Sequence, residues 1–389
     1  MELNKTDYKR LGDYIREVDV RNRDLKVTKL VGLTIDKAFI PSVANVIGTD
    51  LSNYKVIRKK QFACSLMQVS RDQKMPVAMF KEDEAIMSPA YPMFEVINEK
   101  VLLPEYLMMW FTRKEFDREA SFYAVGGVRG SLTWEDFMDM TLPIPPIERQ
   151  REIVSEYETL SRRIELNNKM ISRLEETAQT LYSKMFIDGI DKENLPDGWR
   201  MGTLGEIVDV NTNNYSSKEN WTYLKYIDSS SVTENIFEEY QIFNKSDLIP
   251  SRAKRKVQKN DILYSTVRPN LKHYGIIKDN TENIIVSTAF AVIRSKVNYF
   301  SNDLIYLLLT DPKNTEILQG IAEMSKATYP SITPENILNL KINIPKHIDN
   351  EIISINKNIK KIFDYVYLLH QENKNTKKLQ SILSTRMGK

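Results

Sequence analysis

SLTWEDFMDMTLPIP, residues 131–145, and SITPENILNLKINIP, residues 331–345, are nearly the same phrase, written 200 residues apart. Ser131/Ser331, Thr133/Thr333, Glu135/Glu335, Ile144/Ile344 and Pro145/Pro345 hold matching places. Both copies predict a capped short helix followed by a short strand. Thr133 and Thr333 offer a side-chain oxygen that can accept from the N–H groups of the first turn. Trp134 and Pro334 open that turn, where proline is well placed because its missing N–H has no helical partner. Each stretch closes at a proline, and a long helical pattern follows both.

The repeat extends outward. Leu11-Gly-Asp and Leu204-Gly-Glu open the two halves, each followed by a short alternating stretch. Phe62-Ala-Cys-Ser and Ile262-Leu-Tyr-Ser again lie 200 residues apart, and Met87-Ser-Pro-Ala-Tyr matches Val286-Ser-Thr-Ala-Phe. A unit of this length is far beyond a solenoid repeat and reads as a duplicated domain. Each copy alternates short strand candidates (FACSLMQV, AMFKEDEAIMS, DILYSTV, HYGIIKD, NIIVSTAFAVI) with one or two helices. That pattern predicts a curved, mostly antiparallel sheet in an α+β fold. Leu103 and Ser301 mark the starts of short helices.

After Pro145-Pro146 the chain runs to Phe186 with neither Gly nor Pro. Positions 153, 157, 160, 164, 167, 171, 174, 178, 181 and 185 step by four and three, all apolar except Asn167. Such a stripe is a coiled-coil seam, and 40 residues of it would reach roughly 60 Å. The second copy repeats the device at Ile348, Ile352, Ile355, Ile359, Ile362, Val366 and Leu369, until Asn373, after which the tail is basic and more polar. Two such helices are expected to pack on each other as an antiparallel coiled coil, with Asn167 pinning the register. The expected plan is a globular head at 1–146, a spacer helix and linker at 147–190, a second head at 191–346 and a second helix at 347–389.

Composition narrows the function. The chain has 389 residues, enough for two or more domains. It is 42% apolar and 28% charged, with no run near the roughly 18 residues needed to span a bilayer. Nothing at the N-terminus reads as an export signal, so the expectation is a cytoplasmic protein that does not engage membranes. One cysteine, Cys64, excludes an internal disulfide and a cysteine zinc cage; it reads as a small buried hydrophobe. The three histidines, His273, His347 and His370, lack metal-ligand spacing. No phosphate loop with its Lys occurs, and Gly126-Gly-Val-Arg-Gly130 reads as a turn. The sequence is that of a binder with no catalytic, cofactor or metal residues of its own.

Formal net charge is only +3, so any nucleic-acid binding must rest on local clusters or on a partner. Two clusters stand at matching places. The first head has Arg58, Lys59 and Lys60, then Gln68, Ser70, Arg71, Gln73 and Lys74. The second has Arg252, Lys254, Arg255, Lys256 and Lys259, then Arg268, Asn270, Lys272 and His273 around a tight Val-Arg-Pro-Asn turn. Lys and Arg can hold phosphates, while Arg, Asn and Gln can read base edges. The competing reading is a solvated basic edge that keeps a strand from aggregating. Recurrence at one location with different polar residues favours DNA. Arg129 and Tyr329, just before Ser131 and Ser331, either face DNA with them or shape the loop.

These features together resemble the DNA-specificity subunit of a type I restriction–modification system. The resemblance is carried by LPIPPIERQREI and its heptad helix, INIPKHIDNEI, LPDGWRMGTLGEI and RAKRKVQKNDILYSTVRPNL, and it covers essentially the whole chain. It implies that each head reads one half of a bipartite target in double-stranded DNA. It further implies that the paired helices set the unread gap and dock two methyltransferase (modification) subunits. Those partners would bind S-adenosylmethionine, and restriction subunits using ATP and Mg would join them. Base-contacting positions do not transfer, because heads of this family differ with their targets. PPIERQ becomes PKHIDN in the second copy, with Asn350 at the place of Gln150, which predicts unequal partner contacts at the two helix starts. Two other readings stand beside this one: a specificity subunit whose single partner fuses nuclease and methylase, and a coiled-coil scaffold with protein-binding heads.

Overall fold

The computed structural model describes residues 8–42, 48–67, 69–126, 130–188, 195, 197–216, 219, 221–279, 281–325 and 328–387. Two compact units form. Unit 1 comprises 1–165 with 373–389, and unit 2 comprises 166–372.

In unit 1 the elements run β1 (Tyr8–Arg10), β2 (Ile15–Glu17), β3 (Val31–Leu33), β4 (Phe39–Pro41), β5 (Lys55–Arg58), β6 (Phe62–Cys64), α1 (Val69–Asp72), β7 (Val77–Met79), β8 (Glu84–Met87), β9 (Met93–Val96), α2 (Pro104–Phe111), α3 (Lys114–Tyr123), α4 (Trp134–Asp139) and β10 (Thr141–Pro143). Helix α5 (Ile147–Phe186) starts in this unit and ends in the other. In unit 2 follow β11 (Trp199–Thr203), β12 (Val208–Val210), β13 (Tyr223–Ile227), β14 (Val232–Thr233), β15 (Ile236–Phe237), β16 (Gln241–Asn244), β17 (Ala253–Lys256), β18 (Ile262–Ser265), β19 (Tyr274–Ile276), β20 (Ile284–Ser287), β21 (Phe290–Ser295), α6 (Asn302–Thr310), α7 (Pro312–Glu323), α8 (Pro334–Leu338) and β22 (Lys341–Pro345). Helix α9 (Asn350–Arg386) starts here and ends in unit 1.

The duplication is structural. The order β2-β9-β6-β7 in unit 1 is the order β12-β21-β18-β19 in unit 2. In each head the strand after the repeated helix pairs antiparallel with the head's first strand: β10 with β1, β22 with β11. The repeated phrase does what its residues predict. Thr133 Oγ1 accepts from the Asp136 N–H at 3.0 Å, and Thr333 Oγ1 accepts from the Asn336 N–H at 3.4 Å.

One expectation needs correction. Pairing is mostly antiparallel, with β13–β20 parallel, but each head holds several small sheets instead of one curved sheet. The reason is strand length. AMFKEDEAIMS breaks into β7 and β8, and NIIVSTAFAVI into β20 and β21, each pair divided between two sheets by a turn.

The helix seam also follows the predicted spacing. Ile153, Asn167, Ile171 and Ala178 are buried at heptad positions of α5. Val154, Tyr182 and Phe186, off that stripe, are buried too, because both ends of α5 enter head cores. In unit 1, Ile153, Val154 and Met387 share a core with Leu11, Phe94 and Phe137. In unit 2, Ala178, Tyr182, Phe186, Ile359 and Phe363 share one with Leu204, Phe300 and Ile342. Within each unit the helices run antiparallel. Gln380 donates to Ser161 Oγ at 2.7 Å in unit 1, and Asn167 donates to Glu372 Oε2 at 3.1 Å in unit 2. The polar tail is not outside the seam: Asn373, Thr376 and Ser384 are buried.

Gln150 faces inward instead of toward a partner. It is fully buried, accepts from the Leu103 N–H at 2.9 Å, and donates to the Val101 and Pro145 carbonyls. Asn356, not Asn350, does the equivalent work in the second copy, accepting from the Ser301 N–H at 3.0 Å. Helix α9 is fastened to the second head by a buried lysine. Lys278 Nζ lies 2.6 Å from Asp303 and 2.9 Å from Asp364 of α9. Lys278→Ala strands the buried Asp303 carboxylate, and removing one partner of a buried pair costs about 3–5 kcal/mol. Urea denaturation of the variant should show a loss of that order, and an unchanged midpoint would mean the pair contributes nothing.

Candidate nucleic-acid interface

The second head builds its basic turn from backbone constraints. After β18 the chain cannot continue as strand, because Pro269 has no N–H to give a ladder. Pro269–Leu271 form a short 3-10 turn flanked by Arg268 and Lys272, both left-handed, at φ +47° and +57°. Non-glycine residues adopt that conformation only when their surroundings hold them there. Here the holding groups come from the repeated phrase. The Arg268 N–H donates to the Pro330 carbonyl (2.9 Å), the Ile332 N–H to the Thr266 carbonyl (2.8 Å), and Val267 bridges Ser331. From the other side, the Asn270 N–H donates to Gln319 Oε1 of α7 at 3.1 Å. The Arg268 guanidinium lies 5.3 Å from the Tyr329 ring centroid, a cation–π distance. Arg268, Asn270 and Tyr329 are exposed.

The first head repeats the seam with a different loop. The Leu132 N–H donates to the Leu66 carbonyl at 2.9 Å, the bond that Ile332 makes to Thr266 200 residues later. The intervening loop holds α1 instead of a proline turn. Gly130, at φ +72°, passes so close to Ser70 that a Cβ there would lie 2.2 Å from its Oγ. Arg71 and Lys74 are exposed on this loop, paired with Asp72 (2.7 Å) and Asp36 (3.2 Å). Met75 N–H is anchored to Asp117, whose carboxylate also meets the buried Lys37 at 2.7 Å. Gln68 and Arg129 lie outside the described residues.

The other predicted residues stand on other elements. Arg58 ends β5 and Lys59 and Lys60 form the turn to β6; Arg58 is 3.8 Å from Glu84, and Lys60 pairs with Glu99. Lys254 is exposed on β17, while Arg255 is half-buried with its Nε unpartnered, and burial holds its guanidinium below the usual arginine range. Arg252 sits beside the loop: its carbonyl accepts from Thr288, and the adjacent Ala289 accepts from Thr266. Lys272 pairs with Glu234 at 2.7 Å. His273 Nδ1 lies 2.7 Å from the Val232 carbonyl, so this nitrogen is the donor and is committed to the fold. Arg58, Lys60, Arg71, Lys74 and Lys272 therefore carry a carboxylate partner that a phosphate would have to displace.

Sequence reading missed Gln319 and Glu234, since each lies more than 30 residues from the turn it contacts, and Glu175 of α5, whose carboxyl feels Glu234. Glu175 of α5 is held up to about 7, mainly by burial and secondarily by Glu234. Its native form keeps the proton longer than the unfolded chain, whose carboxyl titrates near 4.5. Stability is therefore lost as pH rises from about 4.5 to about 7. Glu175→Gln should flatten that fall in a pH series of thermal melts, and parallel curves for the two proteins would contradict the assignment. No group of three His, Cys, Asp or Glu side chains able to hold a metal occurs among the described residues, and no described helix is long and apolar enough to cross a membrane.

Comparison with known proteins gives this architecture a family. The specificity subunit of the type I restriction enzyme HindI from Haemophilus influenzae is 33% identical over 158 residues, which are 40% of this chain and 34% of that protein. The MjaVIII specificity subunit of Methanocaldococcus jannaschii is 23% identical over 64% of this chain and 62% of its own length. The chain thus spans about a third of the first relative and under two thirds of the second. A solved type I restriction–modification S subunit from M. genitalium shares the fold, with a TM-score of 0.56 at 13% identity, over 100% of this chain and 97% of that one. The family model described as the type I restriction modification DNA specificity domain matches twice, at residues 47–176 and 196–384, once over each copy of the repeat, and the chain belongs to that family.

Proposed function

We propose that this chain is the non-catalytic recognition subunit of a type I restriction–modification complex, each head reading one half of a bipartite target in double-stranded DNA. The observation that carries the reading is the duplicated seam. In both heads the repeated phrase is hydrogen-bonded to the loop after the third core strand, and that loop presents exposed cations. One framework holding two different loops is what two different half-sites require. Family membership supports the same conclusion.

Helices α5 and α9 act as the spacer for the unread gap and as the dock for two modification subunits. An apolar groove of about 560 Å³ in unit 1 supports docking: Leu160, Leu379, Ile382 and Leu383 line it, with Arg386 at hand, and Leu379 and Ile382 are more than half exposed. S-adenosylmethionine, and ATP with Mg for restriction, belong to the partners, and the assembly works in the cytoplasm. Weak binding by the nearly neutral chain alone avoids trapping on non-specific DNA, whose attraction is electrostatic.

Arg268→Ala should cost about 1–3 kcal/mol at one half-site and leave the other half untouched. Gln319→Ala, which frees the turn without touching its cations, should relax discrimination at the same half. Competition binding of the reconstituted complex with duplexes altered in one half or the other reads both. Equal damage to the two halves would assign the turn to folding instead.

A further inference from the structure

The most exposed large apolar side chains described in unit 1 are Phe122 (76%), Val125 (75%) and Met67 (62%). All three lie at the same seam. Met67 follows Leu66, the acceptor of the Leu132 bond; Phe122 and Val125 close α3 and its 3-10 extension, which pack on α1. Unit 2 also carries exposed apolar residues at this seam, alongside others such as Leu248 (96%) after β16 and Ile242 (63%) on β16. Met324 (86%) ends α7, Tyr329 (59%) precedes the repeated phrase, and Leu271 (47%) belongs to the basic turn. The Ser331 N–H donates to Ser325 Oγ, holding Met324 beside the seam.

Single exposed apolar residues on a surface are ordinary. Three at one junction, in both copies of a duplicated head, are not scattered. Each set stands among cations, Arg71 and Lys74 in one head, Arg268 and Lys272 in the other. The ligand must therefore be anionic at its rim and apolar within reach of it. Duplex DNA meets both demands in its major groove, where each thymine presents a C5-methyl group between the phosphate walls. Several tips per head, spread over two segments, suit contact with groove-floor methyls better than insertion between base steps, where one or two wedges act.

We propose that these tips read thymine methyl groups, Phe122, Val125 and Met67 in one half-site and Met324, Leu271 and Tyr329 in the other. This rests on the recognition reading above. The test uses the full chain assembled with its modification subunits, and a duplex that this assembly selects from a randomised pool. Each thymine in turn is replaced by deoxyuridine, which removes the methyl alone. At contacted positions affinity should fall about fourfold, the effect of one methyl-sized apolar group. Phe122→Ala should abolish that sensitivity at one or more contacted positions of one half and Met324→Ala likewise in the other, both exposed substitutions that leave the thermal melt unchanged. Deoxyuridine tolerated at every position, or sensitivity unchanged at every position in both variants, overturns this inference while recognition stands. A rise in 2-aminopurine fluorescence on binding that Phe122→Ala removes also overturns it, in favour of step insertion. An assembly that selects no sequence overturns the recognition reading and this inference with it.

Discussion

The structure depends on burying helix ends inside head cores. Neither spacer helix is an appendage. Tyr182 and Phe186 of α5 and Ile359 and Phe363 of α9 complete the apolar core of the second head. Ile153 and Val154 of α5, with Met387 of α9, complete that of the first. Each buried Leu-, Ile- or Phe-sized side chain contributes about 1.5–3 kcal/mol relative to exposure. Cutting a head away from its helices would therefore expose a contiguous apolar face. Domain boundaries drawn at the prolines divide the sequence neatly, yet the folding units cross them.

That constraint explains the polar residues at the head–helix junctions. Gln150 and Asn356 each accept from the backbone N–H that begins a head's first long helix, at Leu103 and Ser301. A buried amide left unpaired there would cost the desolvation of its polar group. Lys278, clamped by Asp303 and by Asp364 of α9, adds a charged register mark to an otherwise apolar contact in unit 2. Hydrophobic burial holds helix to head, and these polar contacts select which of the possible sliding positions is used. Asn167, hydrogen-bonded to Glu372, does the same for helix against helix.

Local signals were legible in the sequence; long-range ones were not. The Thr133 and Thr333 caps follow from one residue and its neighbours, and the seams of α5 and α9 follow from the spacing of apolar residues. The strand after each repeated helix is also readable, since Ile, Leu and Pro bound it. Splitting of NIIVSTAFAVI was not, because the two residues Thr288 and Ala289 leave no composition signal, and in AMFKEDEAIMS the charged Lys81-Glu-Asp run marks a break without saying that the two strands join different sheets. Burial of Asn373, Thr376 and Ser384 escaped because polar side chains hide a seam from a hydrophobic pattern. The interface suffered most. Arg268 and Tyr329 are 61 residues apart in the chain and meet only because Val267 bridges Ser331. Charge counting found the cations but not the distant carboxylates of Glu84, Glu99, Asp36 and Glu234 that pair with four of them.

On the proposed function, recognition belongs to the duplicated seam. Hydrogen–deuterium exchange of the chain in its complete assembly, with and without a selected duplex, tests it directly. Protection should appear at 65–76 and 130–132 in the first head, and at 266–273 and 328–332 in the second. Unchanged exchange in those segments, with protection elsewhere on the heads, would contradict it.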